Sequence, residues 1–302
     1  MKLSSILPAI LLVTVSFSLF GQEEQTKTFK RISIHDFYIQ PFVFSEPYIN
    51  GSISDFESLA PQSVLLNNDF GDFSSSYNGF GMSSNTAFSI LLGIQFSDKA
   101  KTVYKANPLL RLGVCYFSGT SLTVGSYKEE HIAYDTLTSV QTGQIIYIDS
   151  VISTGFGMDY SWQQLRFDGS MIFRTDPQAR WSLYAGIGIT AGVSINAETY
   201  ISHSISGRTE TRYPNGNTNS SYDYNGSYSD KAEVFRNKTN YGFSAYIPMG
   251  VDFRTGKKIP FWKLVHVFYE LRPSINMTSI PELRTITNAS IQHGVGLRVS
   301  WN

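Results

Sequence analysis

The chain is short of the residues that disulfide frameworks, metal centres and soluble surfaces need. Of 302 residues only Cys115 is a cysteine, which excludes an internal disulfide and a cysteine-rich metal site. Charged side chains make up 16 %, against about 25 % in soluble domains. The 24 basic side chains are matched by 24 acidic ones. No basic stripe stands out, so nucleic acid is not an expected partner. Beyond Gln22 no apolar run is long enough for a transmembrane helix.

One apolar run precedes that point. Lys2 is a positive start, Leu7 to Phe20 a short apolar core, and small or polar residues follow. This is the pattern of a cleaved secretory signal over 1–21, leaving 22–302 as the exported chain. No cysteine lies nearby to accept a lipid anchor.

What is present is alternation. In Trp181 to Asn196, the apolar residues Trp181, Leu183, Ala185, Ile187, Ile189, Ala191, Val193 and Ile195 share one parity. Small or polar residues hold the other, and a period of two puts each set on its own face of a strand. Six further stretches read the same way: Phe88–Phe96, Leu110–Tyr116, Leu165–Phe173, Phe243–Arg254, Val265–Arg272 and Gly294–Trp301. None of the seven contains lysine. An eighth, irregular strand is expected over Lys30–Phe44, interrupted by Pro41.

The polar face separates a membrane barrel from a soluble one, whose surface would carry many Lys, Glu and Thr. Here it carries Gly, Ser and Tyr, with Arg111, Arg166, Arg254, Arg272 and Arg298 against Asp168, Asp252 and Glu270. Glycine suits a narrow interior, and arginine suits multidentate pairing with carboxylates. Lysines fall near expected turns: Lys99, Lys101, Lys105, Lys257, Lys258 and Lys263. Connections alternate between short and long, as in bacterial outer-membrane barrels with short periplasmic turns and long external loops. The long loops are expected at 45–84, 119–160 and 197–238.

Aromatic belts are expected at both boundaries. Phe96, Tyr104, Phe173, Trp181, Phe261, Trp262 and Trp301 fall at the short-turn end. Tyr116, Phe117, Tyr160, Trp162, Tyr200 and Tyr241 fall at the other. Ser54 is expected to cap a short helix reaching Ala60, with Pro61 able to start another. Tyr213–Ser229 is expected to be mobile.

The fold class is therefore all-β: an eight-stranded antiparallel up-and-down transmembrane barrel. The signal, the eight-strand meander and the closing Gly294-Val295-Gly296-Leu297-Arg298-Val299-Ser300-Trp301 resemble small outer-membrane barrels of the Bacteroidota type (the OmpA/PorT-like family). That resemblance implies an outer-membrane location. It also implies that the last strand, with Val295, Leu297, Val299 and Trp301, is read by the barrel assembly machinery. Trp301 is penultimate here rather than terminal.

An eight-stranded barrel is just wide enough for its own side chains to fill it. The eight charged residues above are thus expected to form a closed plug, and the role to be structural or binding through the loops. Expected partners are outer-membrane lipid, the assembly machinery and an external ligand or protein. A small-solute channel, a secretion or assembly component, and a lipid-modifying enzyme are the alternatives. No Ser/His/acid set emerges from His35, His131, His203, His266 and His293, so no enzyme activity is expected. No cofactor or metal spacing is present. His266 shares parity with Glu270 and should point inward, whereas His293 has the lipid-facing parity. The Asn-x-Ser matches at Asn50, Asn219 and Asn225 read as plain loop sequence.

Overall fold

The computed structural model describes residues 32–47, 49–75, 82–96, 108–175, 179–222, 229–256 and 259–301. The expected signal 1–21, Lys99, Lys101, Lys105, Lys257, Lys258, Tyr104 and Asn225 lie outside the described residues.

Alternating stretches become strands, and most run longer than the sequence pattern marks. In chain order the elements are β1 (Ile32–Pro47), β2 (Ile49–Asn50), α1 (Ile53–Leu59), β3 (Ser74–Ser75) and β4 (Met82–Phe96). Then come β5 (Pro108–Thr138), β6 (Ile145–Arg174), β7 (Trp181–Arg212), β8 (Thr218–Tyr222) and β9 (Ser229–Arg236). The last are β10 (Tyr241–Tyr246), β11 (Met249–Arg254), α2 (Pro260–Leu264), β12 (Val265–Ser279) and β13 (Thr285–Ser300). Pairing runs β1–β4–β5–β6–β7, then β10 and β11 together, then β12, β13 and back to β1, antiparallel throughout. The eight walls close into a barrel. After the last strand, Trp301 N still donates to the His35 carbonyl at 2.9 Å.

Two prolines shape this wall differently from the sequence expectation. Pro41 does not interrupt β1, which continues to Pro47 and pairs Pro41 with Phe88 of β4. On the β13 side the register is blank between Ile39↔Leu297 and Val43↔His293, where Pro41 has no N–H to give. Pro248 does divide the expected strand 243–254 into β10 and β11. The ladder is carried across the break by Gly186 N to the Pro248 carbonyl (2.9 Å) and Ile247 N to the Pro273 carbonyl (3.0 Å).

The apolar parity faces outward. Phe167, Leu183, Ile187, Ile189, Ile291 and Val295 are each more than half exposed, while the polar parity is buried. The arrangement reverses that of a soluble barrel, as a lipid environment requires. Among the described residues no helix is long and apolar enough to cross a membrane; the strands do so.

The expected long loops at 119–160 and 197–238 are mostly strand. β5, β6 and β7 continue past their barrel neighbours as a sheet, joined at its far edge by β9 and β8. Two bulges mark the base of this platform. Ser121 is extra in β5, between Thr120↔Ser161 and Leu122↔Tyr160. Ile195 is extra in β7, between Asn196↔Gln163 and Ser194↔Gln164. Each bulge shifts parity by one, so inward residues are odd below Ser121 and even above it in β5. Tyr213–Tyr222 holds a turn and β8; 223–228 lie outside the described residues.

Residues 51–75 fold back against the inward face of the platform. The helix cap is Ser52, not Ser54: Ser52 Oγ accepts from Asp55 N (3.1 Å), and Asp55 Oδ2 accepts from Ser52 N (2.8 Å). This is a capping box one residue pair upstream of the expected one. Pro61 starts no helix; a 3-10 turn follows at Leu65–Asn67. Phe56, Leu59, Leu65 and Leu66 are buried. Phe70 and Phe73 pack edge-on against Phe156 of β6, at 4.9 and 5.5 Å between ring centres.

Candidate functional site: the lumen and the platform above it

Because β-strand parity aims alternate side chains at the axis, the barrel interior collects the polar half of every strand. Five arginines are buried there, Arg111, Arg166, Arg174, Arg272 and Arg298, and so are five carboxylates, Asp36, Glu46, Asp168, Asp252 and Glu270. The formal charges cancel.

They sort into three levels. In the middle, Glu270 accepts from Arg111 Nη1 (2.6 Å), Tyr184 OH (2.7 Å) and Arg272 Nε. Arg111 Nε also donates to Ser170 Oγ (2.9 Å). Arg272 reaches Asp168 (3.3 Å) and Gln40 (3.0 Å). Asp168 accepts from Tyr246 OH and, at 3.1 Å, from Cys115 Sγ. The lone thiol is thus a buried donor.

Nearer the short turns, Asp252 accepts two bonds from Arg298, at 2.9 and 3.0 Å, and faces His266 Nδ1 at 2.6 Å. Arg298 Nη1 donates to Asp36 (3.0 Å), which also accepts from Tyr38 OH (2.9 Å). Arg174 donates to Tyr38 OH (3.1 Å) and lies 3.7 Å from Asp36. Toward the platform, Arg166 donates to Gln164 (2.6 Å) and Ser244 (2.7 Å), with its guanidinium 4.5 Å from the Phe117 ring centre. Glu46 accepts from Asn276 Nδ2 at 2.5 Å. Glycine makes this crowding possible: a Cβ on Gly242 would lie 2.1 Å from Gln164 Oε1 and 2.6 Å from Arg166 Nε.

Of the eight expected lumen charges, Arg111, Asp168, Asp252, Glu270, Arg272 and Arg298 are joined in ion pairs, and Arg166 is buried among neutral partners. Arg254 stands apart. It is half buried at the end of β11, forms no ion pair among the described residues, and its Nε has no partner there. Asp36, Glu46 and Arg174 were outside the sequence expectation, although each shares the inward parity of its strand. His266 points inward as expected. His293 faces outward, between Val43 and Leu271, part-way along β13 rather than at a strand end.

The aromatic belts need one correction. Trp181, Phe173, Phe261, Trp262 and Trp301 are exposed at the short-turn end, and Tyr200 and Tyr241 at the other. Phe117, Tyr160 and Trp162 are buried instead; their parity matches that of Arg111 and Arg166. Trp162 Nε1 donates to Ser121 (2.5 Å), and Tyr160 OH accepts from Asn240 (2.8 Å). Val295, Leu297 and Trp301 of the closing strand are exposed on the outer wall. An outer groove of about 910 Å³, lined by Met171, Ile187, Ile189, Ile275 and Ile291 among others, is apolar and contains none of the charged residues.

The platform has its own ion pairs. Arg208 grips Glu129 through both terminal nitrogens, at 2.7 and 3.0 Å, and Ser153 donates to the same carboxylate at 3.0 Å. These bonds hold the Glu129 carboxyl at about 2, well below the ordinary 4.5. Arg212 pairs with Asp149 at 2.6 Å. His203 stacks on Phe156, 4.5 Å between ring centres. Burial, aided by the charge of Lys231, lowers its pKa. Among the described residues no three His, Cys, Asp or Glu side chains could hold a metal ion.

A closed antiparallel ring with an apolar exterior and an ion-paired interior defines a transmembrane β-barrel. No protein-family model and no curated protein sequence matches the chain. Among solved structures it is similar to Neisserial surface protein A, at 14 % identity and a TM-score of 0.28, over 88 % of this chain and 97 % of that one. It is also similar to the attachment invasion locus protein Ail of Yersinia pestis, solved with the heparin analogue sucrose octasulfate, at 10 % identity and a TM-score of 0.23, over 88 % and 99 %. The transport unit of the autotransporter AIDA-I from Escherichia coli gives 8 % identity and a TM-score of 0.21, over 95 % and 96 %. The fold assignment rests on the strand ring itself.

Proposed function

We propose that this chain is an outer-membrane barrel whose lumen is closed and whose work is done by the platform outside the membrane. The observation that carries this reading is the neutral, buried set of ten charges across the barrel axis, eight of them joined by ion pairs. Arg111, Glu270 and Arg272 have 1 % exposure or less, which supports a closed lumen. A channel would keep such groups hydrated. The platform, by contrast, offers ordered strands and exposed side chains, which suits binding. The signal over 1–21 and recognition of Val295, Leu297, Val299 and Trp301 by the assembly machinery belong to the same reading. Fractionation of the native host should place the protein in the outer membrane, with an unboiled gel band that migrates differently from the boiled one. Planar bilayers containing it should show no large, stable conductance steps. Reproducible steps abolished by boiling would overturn the closed lumen.

A further inference from the structure

The platform exposes a strand edge and, beside it, an apolar face. β5 pairs with β4 only up to Ser118, with β2 at Leu122–Thr123 and with β3 at Ser126–Tyr127. Among the described residues nothing pairs with 128–138 on that side. The inward face next to this edge carries Ile132, Ile148, Ile152 and Ile205, and Ile132 is 50 % exposed. This is the same face that Phe70 and Phe73 cover lower down, so its upper half continues a surface already built to take apolar side chains. The rim is acidic. Asp72 and Glu130 have side chains 81 % and 55 % exposed and share one cation, Lys128. Asp135 is exposed, whereas Glu129 is committed to Arg208. A bulge between Ala133 and Asp135 ends the regular edge.

We propose that the edge of β5 at 129–133, with the isoleucine face behind it, docks an extended segment of another protein that carries basic and branched apolar residues. The segment adds as a strand through its backbone, the mode in which main-chain hydrogen bonds give affinity and alternate side chains give specificity. Its basic residues meet Asp72 and Glu130, and its alternate apolar side chains lie over Ile132 and Ile152. This rests on the reading that the platform stands outside the membrane.

The test uses the full folded barrel in detergent and a labelled peptide, Lys-Lys-Val-Thr-Val-Thr-Val-Thr, followed by fluorescence polarisation. Two controls are the same peptide with Glu for both Lys, and a form N-methylated at alternate backbone nitrogens. The unmodified peptide should bind at least tenfold more tightly than either control. Glu130→Lys and Ile132→Asp, both at exposed positions, should each weaken it tenfold. Val140→Asp, at the fully exposed hairpin tip, should leave it unchanged. Equal binding of the three peptides, or indifference to Glu130→Lys and Ile132→Asp, overturns the proposal. So does a dimer in sedimentation that Ile132→Asp dissolves, because the edge would then be taken by a second copy. The gel heat shift of the same sample separates the two levels. Its absence sinks the barrel reading, and with it the docking site; its presence without peptide binding sinks the docking site alone.

Discussion

Glu270 is the most heavily bonded carboxylate of the lumen, and Glu270→Gln removes its charge while keeping its volume. In the native barrel it is wholly buried and holds Arg111, Arg272 and Tyr184 together. After the substitution Arg272 keeps Asp168 at 3.3 Å. Arg111 keeps Ser170, the ring faces of Tyr38 and Tyr184, 5.6 and 5.8 Å away, and at most a neutral amide oxygen in place of its carboxylate. Stranding a buried charge in this way costs about 3–5 kcal/mol. With a urea slope of about 3 kcal/mol per molar, the unfolding midpoint should fall by roughly 1–1.7 M. Gel heat shift or tryptophan emission across a urea series reads it. The companion Glu129→Gln breaks a pair on the platform and should move the midpoint little, since solvent-accessible pairs are worth about 0–1 kcal/mol. Adding Arg111→Met to Glu270→Gln removes the stranded charge and should recover at least half of the loss. Equal midpoints for Glu270→Gln and Glu129→Gln would refute a dry, paired interior.

Further outcomes follow from the same geometry. In single-tryptophan variants, lipids brominated near the headgroup end should quench Trp181, Trp262 and Trp301 but spare Trp162, which is 3 % exposed and inward; quenching of Trp162 would mean that its strand is turned around. Glu129 has a folded pKa of about 2 against an ordinary 4.5, so its contribution is full above pH 4.5 and is lost as pH falls through about 2. Protease protection of the β5–β6 hairpin should decline over that window in the native chain and stay flat in Glu129→Gln. A Cβ on Gly192 would sit 2.1 Å from the Leu165 carbonyl oxygen. Gly192→Ala should therefore lower stability by about 1–3 kcal/mol through forced separation of β6 and β7, and an unchanged urea midpoint would show that the wall yields freely.

The ring of strands was legible because period-two alternation survives wherever both faces are uniform. It faded where another constraint intervened. Pro41 made β1 look broken, so Asp36 and Glu46 went unseen on its inward side. The pattern in β6 was followed down only to Phe173, one residue short of Arg174. It was also begun at Leu165, above which Trp162 and Tyr160 continue the parity of Arg166 into the interior. The bulges at Ser121 and Ile195 leave no mark in residue type, so the point at which parity shifts could not be read. Nor could the covering of the platform by 51–75, which depends on contacts between segments far apart in sequence.

The buried arginines also bear on how such a chain is made. A protein bound for an outer membrane must first pass an inner one without lodging there. An apolar stretch of about 20 residues would halt it, and arginine at the centre of a helical stretch opposes insertion by about 2.5–3.5 kcal/mol. Arg111, Arg166, Arg272 and Arg298 each fall inside one of the seven alternating stretches. These inward-facing charges break the apolar runs before the barrel exists, and the whole chain has a mean hydropathy of only -0.12. On the proposed outer-membrane reading, the residues that fill the finished lumen also ease the passage of the unfolded chain.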